Sequence, residues 1–382
     1  MTALAVAGCG ASAVQTSAAG PAGPVQATSS APVPAPPAPQ VKKSKPARSH
    51  SPAAPKPAAA SQQLPQHGNL NGHVPVPRAG QAVSTAHPDH VIGHGTPGSC
   101  TSAAVVKAVA EGGVITFNCG PKPVTITMKA SANIVHGSRI VIDGGGKVTL
   151  SGGGRIRILV MFNCTHCWEQ ASPHLIVQNM RFVDGYSGVH QSGSSPNYGG
   201  GAIFDQGGQL TVVNSAFVGN RCYQYGPDLG GGAIRAVGMD MSTPVYLTGD
   251  TFRDNQCSNG GAVSGLYANF ILINSLLMDN KAIGWGANPA ASGTPGGGSG
   301  GGVYTDGNGY KLIIEGTAIH DNSAREGGGG IFCVVNNSVG GLTIEHSVLQ
   351  RNTSGQFQNA PGIFDSRGGH DVQPTLIDST VN

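Results

Sequence analysis

Residues 99–382 are expected to form an all-β solenoid: a right-handed single-stranded parallel β-helix with a short N-terminal capping helix. Three observations predict it. The 382-residue chain holds 60 Gly, roughly twice the average usage of about 7%, as a backbone that turns many corners requires. A strand-like unit ending in Asn recurs at residues 210–220, 245–255, 270–280, 312–322 and 342–352, with a variant at 175–185 and a last fragment from Leu376. The segments between are short, β-branched and alternating, which leaves no room for a helix in each repeat.

The N-terminus reads differently. Val6-Ala7-Gly8-Cys9 resembles a bacterial lipobox, in which Cys9 accepts the lipid and becomes the first mature residue. Residues 1–9 lack the basic and long apolar regions of a full signal peptide, so the true start is expected upstream. The alternative is a small-residue N-terminus with a chance cysteine. Residues 10–98 are rich in Ala, Pro and Ser, and read as a disordered, partly polyproline spacer spanning roughly 50 Å or more. The spacer is basic, with Lys42, Lys43, Lys45, Arg48, Lys56 and Arg78 against Asp89 alone. The lysine run suits anionic lipid or wall polymer, or merely keeps the segment soluble. The body is near neutral, and a net charge of +3 gives no sign of nucleic-acid binding. These features predict an exported protein of the cell envelope or surface, held to a membrane only by its lipid.

The body opens with residues 103–111, an amphipathic stretch that Thr101 or Ser102 can cap and Gly112-Gly113 ends. A helix there would cover the exposed edge of the first rung. Strands are expected at 114–117, 124–128, 140–142 and 157–162. Asp143, in Ile142-Asp143-Gly144-Gly145-Gly146, is given a structural role at a corner. Next, each Asn unit is preceded by a second signature: Gly201-Ala202-Ile203, Gly232-Ala233-Ile234, Gly261-Ala262-Val263, Gly302-Val303-Tyr304, Gly330-Ile331-Phe332 and Gly362-Ile363-Phe364. Positions ending the units are 35, 35, 25, 42 and 30 residues apart. Three short strands and three turns fill such a period, and its variation falls in loops. The recurring Asn fits an internal ladder of stacked amides. The final strand near 376–382 exposes an edge that could take a partner strand.

Phe217-Val218-Gly219-Asn220 and Phe252-Arg253-Asp254-Asn255, with the Gly-Gly-Ala-Ile signatures, resemble the FxxN and GGAI repeats of chlamydial polymorphic outer-membrane proteins. The wider pattern, from about Cys100 to Asn382, is similar to the pectin-lyase-like β-helix superfamily. That resemblance implies the fold, and an extended polysaccharide bound along the strands of the Gly-Gly-Ala-Ile segments. It leaves the activity open, because the superfamily includes lyases, hydrolases, epimerases, tailspikes and adhesins.

Eight cysteines in an exported chain suggest disulfides. Cys222 and Cys257 each lie two residues past a repeat Asn, so stacking at about 4.8 Å brings them within bridging range. Cys100 and Cys119 flank the cap and are expected to pin it. Cys164 and Cys167 are expected to pair locally, the alternative being half of a zinc site with His166. Cys333 remains as a buried thiol.

The loops before the Gly-rich strands carry Tyr186, Tyr198, Tyr223, Tyr225 and Trp285, a large share of a chain with 5% aromatics. These rings suit sugar stacking in a groove that would include Asp205; alternatively they pack the loops down. The glycine run at 295–302 suggests a mobile lid. A hydrolase needs two carboxylates roughly 5–9.5 Å apart. Among Asp205, Asp306 and Asp365 no pair suits in spacing and register, and polygalacturonase-like motifs are missing, so hydrolysis is disfavoured. A lyase needs a base and a cation. Arg235 is the base the sequence offers, with Lys281 and His190 in reserve. Asp254, Asp279 and Asp321, each preceding a repeat Asn, could bind Ca²⁺ as a column, or simply be polar turns. The expected function is binding or processing of an extracellular polysaccharide, lyase-type if catalytic. The rival is a non-catalytic adhesin or envelope-interaction protein. An open groove joining Arg235, Asp205 and the Asp column would favour the first.

Overall fold

The computed structural model describes residues 67–135, 137–162, 168–188, 199–227, 229–286 and 296–382. The repeats form a parallel β-helix with three faces. The first face stacks the strands that follow the Gly-rich signatures, including Leu159–Phe162, Ile203–Gln206, Ile234–Val237, Val263–Leu266, Val303–Gly307, Ile331–Val335 and Ile363–Arg367. The second stacks Gln209–Val213, Val245–Thr248, Phe270–Ile273, Lys311–Glu315, Gly341–Glu345 and Thr375–Ile377. The third stacks Ala216–Val218, Thr251–Arg253, Leu276–Met278, Ala318–His320, Val348–Gln350 and Thr380–Val381. Equivalent repeat positions pair throughout. Ile203, Ile234, Val263, Val303, Ile331 and Ile363 form one continuous inward column.

The core lies inside the coil, where period-2 strands aim alternate side chains. On the third face Phe182, Phe217 and Phe252 stack at centroid separations of 5.0 and 4.9 Å, nearly coplanar at 7°. Leu277, Ile319 and Leu349 continue the column. Each such side chain contributes about 1.5–3 kcal/mol through burial. The asparagine ladder is present at the corner after this face. Asn220, Asn255 and Asn280 donate Nδ2 to Oδ1 of the next rung's Asn at 3.0, 2.9 and 2.9 Å, and Asn322 donates to Asn352 at 2.9 Å. A second ladder occupies the corner between the second and third faces. Side-chain oxygens of Ser215, Asp250, Ser275, Thr317, Ser347 and Ser379 each accept a backbone N–H from the preceding rung at 2.8–3.3 Å. Both ladders satisfy buried backbone donors that the corners withhold from the sheets.

The cap is helix α1 (Ser102–Glu111). Thr101 Oγ1 accepts from Ala104 N at 3.2 Å, and Gly112, at φ 79°, ends it. Val105, Ala108 and Val109 are buried against the first rung. Cys100 and Cys119 form the bridge that pins the cap, with Cα atoms 5.7 Å apart. Asp143 holds its corner within the long strand Arg139–Ser151, accepting from Gly145 N, Gln178 Nε2 and Asn179 Nδ2 at 2.8–3.1 Å.

The spacer expected over 10–98 is corrected from residue 67 onward. His67 N donates to Asn214 Oδ1, Val83 N to Gln178 Oε1, and Asp89 N to Val114 O. His90–Ile92 then adds a strand beside Gly113–Phe117. Composition misled here because this strap needs no core of its own. It covers side chains that the coil would otherwise expose, and coil groups satisfy its donors. The glycine run expected as a lid is also corrected where it is described. Gly298 N donates to Ser258 O and Gly300 N to Gly327 O, which ties residues 296–300 into the stack.

Candidate functional site

Stacking scatters the groups a lyase would need. Arg235 lies on the first face, in register between Phe204 and Ser264, but it is only 1% exposed. Its Nη1 donates to Ser264 Oγ, and the backbone at Gly230 closes over it so tightly that a Cβ there would sit 2.8 Å from Nη1. Asp205 is a correction. Placed in the groove by the sequence, it points into the core, in register with Met161 and Ala236, fully buried and with no hydrogen-bond partner on either oxygen. Burial pushes its carboxyl well above the ordinary range. The reason is parity: Ile203 points inward, so Phe204 points out and Asp205 in. Asp365 also faces inward, beside Arg367 at 2.9 Å, whereas Asp306 faces outward and accepts from Asn336 Nδ2. Lys281 stands exposed on a separate small sheet formed by Gln256–Cys257, Lys281–Ala282 and Ser323–Ala324. His190 lies outside the described residues, as do Tyr198, Cys164, Cys167 and Cys9.

The aspartate column is a backbone feature. Asp184, Asp254, Asp279 and Asp321 take left-handed φ of 51–59° at one corner, and Gly219 and Arg351 fill the same place in other rungs. Asp, Asn and Gly tolerate that conformation best. Asp254 pairs with Arg253 at 3.2 Å. Asp321 is bound at 2.7 Å by both Arg351 Nε and Nη2 and contacts His320 Nδ1 at 2.6 Å; these partners hold its carboxyl well below the usual range. Among the described residues no three His, Cys, Asp or Glu come together as a metal site.

The tyrosine loop divides between the two readings. Tyr223 meets Tyr225 edge-on at 5.8 Å and packs on Cys222, Leu229 and Cys257, so these rings hold their loop down. Cys222 and Cys257 are bridged, with Cα atoms 4.8 Å apart, and Cys333 is a buried free thiol. Trp285 is 41% exposed. Outward on the first face, Tyr304, Phe332 and Phe364 stack at 5.5 and 4.7 Å. The sequence signal for that stack was the aromatic that follows each inward Val303, Ile331 and Ile363.

Tyr186 lies instead in a concavity of about 380 Å³ that the sequence reading missed. It is lined by Lys129, Arg155 and Arg157 with Tyr186, Ser187 and Gly188, and holds no carboxylate among its described lining residues. The three cations and the ring come from successive rungs, whose strands Val124–Thr127, Arg139–Ser151 and His174–Val183 pair side by side. Arg221, paired in register with Tyr186, lays its guanidinium against Gly154 at the rim. Arg157 also lines a second concavity of about 380 Å³ with Asn133, Val160, Phe162 and Phe204. Its guanidinium lies 4.7 Å over the Phe204 ring and donates to Gly199 O at 2.8 Å; burial lowers its pKa to about 10. No protein-family model, curated protein or solved structure matches this chain. No helix among the described residues is long and apolar enough to cross a membrane. The arrangement supplies guanidinium forks that match carboxylates, beside aromatic faces that suit pyranose rings. Among its described lining residues there is no Asp, Glu or His to serve as a general base.

Proposed function

We propose that this protein is an exported, lipid-anchored β-helix that binds an acidic extracellular polysaccharide without cleaving it. The observation that carries the reading is the run of Lys129, Arg155 and Tyr186 across three adjacent rungs, with no opposing carboxylate among the described residues of the lining. A polymer of uronates presents a carboxylate on each sugar, and Lys129 and Arg155, on adjacent rungs, present cations to meet it. Two bridged cysteine pairs support an oxidising compartment. The scatter of Arg235, Asp205, Lys281 and the aspartate column supports a binding role over a lyase, as does the resemblance to chlamydial surface repeats.

Affinity electrophoresis of the full chain through polygalacturonate, alginate and a neutral galactan tests this. Retardation is expected in the two acidic polymers and should weaken as salt rises. Arg155→Ala and Tyr186→Ala should each reduce affinity about tenfold, equivalent to ~1.4 kcal/mol. Equal retardation by the neutral polymer would remove the acidic reading. Calcium-dependent release of unsaturated uronate that disappears in Arg235→Ala would replace it with a lyase.

A further inference from the structure

We propose that the corner between the second and third faces is a binding site for an extended peptide, and that residues 67–85 are its built-in, exchangeable occupant. Two carboxamides define the site. Asn274 accepts from Val74 N at 3.0 Å and donates to Val74 O at 2.8 Å. Gln178 does the same for Val83, at 2.9 and 3.0 Å. Each amide therefore reads both backbone groups of one residue as a neighbouring strand would, which is how extended peptides are recognised. Further bonds run from Gly68 N to Thr251 Oγ1 at 2.8 Å, from Asn69 N to Asn274 O at 2.8 Å, and from Thr85 Oγ1 to Asp143 Oδ2 at 2.9 Å.

The site also selects sequence. A Cβ on Gly68 would meet Asn274 O at 2.4 Å, and one on Gly72 would meet Gly316 O at 2.3 Å. Gly72, Val74 and Val76 turn toward the coil while Asn71, His73, Pro75 and Pro77 are exposed. Burial on the coil follows the strap. Thr211, Tyr246 and Thr248 point outward on the second face yet are buried, beneath Ala79 and Gly80. In the same columns beyond the strap, Thr343 is half-exposed and Thr375 and Ile377 are exposed. The inference is independent of the polysaccharide reading, because the strap and the basic concavity share no residue.

The test inserts a protease site between Ala86 and His87, an exposed bend, in the full chain. After cleavage, the N-terminal fragment is expected to co-elute with the coil in gel filtration. Excess fluorescent peptide 67–85 should replace it, and Asn274→Ala or Gln178→Ala should weaken that binding at least tenfold. Separation of the fragment from a coil whose circular dichroism is unchanged would overturn the proposal, as would equal binding by a scrambled peptide. Should cleavage unfold the coil, hydrogen exchange on the uncut protein decides. Slow amides at Val74 and Val83 that each alanine variant accelerates locally support the site; amides already as fast as those of an exposed loop refute it.

Discussion

Replacing Asn280 by alanine is expected to destabilise the coil by roughly 3–5 kcal/mol, the sum of several buried hydrogen bonds left unmade. Its Nδ2 donates to Phe252 O at 3.0 Å and to Asn322 Oδ1 at 2.9 Å. Its Oδ1 accepts from Asn255 N at 3.0 Å and from Asn255 Nδ2 at 2.9 Å. Truncation removes the acceptor of the Asn255 N–H and the side-chain donor to the Phe252 carbonyl at once, both on fully buried residues. Asp279→Asn, one residue earlier, is the control. It keeps a side chain that tolerates the left-handed corner, and its effect should stay within about 0.5 kcal/mol. Urea unfolding of both variants measures the contrast. A loss below about 1 kcal/mol for Asn280→Ala would mean that the ladder is decoration on a coil held by its apolar columns. Because each rung contacts only its neighbours, accelerated amide exchange should be greatest at Asn255, whose N–H loses its acceptor, and fade within a few rungs.

That ladder was legible in the sequence because one residue type does the work in every rung. The parallel ladder at the next corner was not, although its geometry is equivalent. Ser215, Asp250, Ser275, Thr317, Ser347 and Ser379 share only a short side-chain oxygen, so no single letter repeats. The cap, with Thr101 before it and Gly112 after it, followed from local capping chemistry; the Cys222–Cys257 bridge followed from repeat arithmetic, and the Cys100–Cys119 bridge from the place of both residues beside the cap. The candidate site was less readable. Tyr186 was found by composition, but Lys129 and Arg155 join it only because three successive turns of chain stack, and nothing local marks that neighbourhood. The strap was hidden by its own composition. Its alternation through Gly72, Val74 and Val76 was present, but Pro75 and Pro77 read as spacer when they are residues that need no ladder donor on an outer edge.

Asp205 gives the second large effect, of opposite sign. Replacing it with valine is expected to stabilise the protein by about 1–3 kcal/mol near pH 4, the usual cost of an unpaired buried polar group, and by more as the pH rises. The carboxyl is fully buried between Met161 and Ala236 with neither oxygen hydrogen-bonded. Desolvation raises its pKa well above the ordinary carboxylate range. In the folded state Asp205 is therefore held neutral while the unfolded chain ionises near pH 4. The stability it permits is fully present below the unfolded pKa and is lost as pH rises toward the folded one, at up to about 1.4 kcal/mol per pH unit. Asp250, buried in the serine ladder, shifts the same way but is opposed by hydrogen bonds from Ser215 and Thr248. Asp365 also shifts upward from burial, opposed by Arg367. Asp205, without any donor, should carry the steepest share. Thermal unfolding from pH 4 to pH 8 is the measurement. The wild-type chain should lose stability across the range, while Asp205→Asn and Asp205→Val should flatten the curve, valine lying above asparagine because it brings no amide to satisfy. Curves that remain parallel across the range would show that Asp205 keeps the same protonation state in the folded and unfolded chains, and would place it against a donor or solvent rather than in the apolar interior.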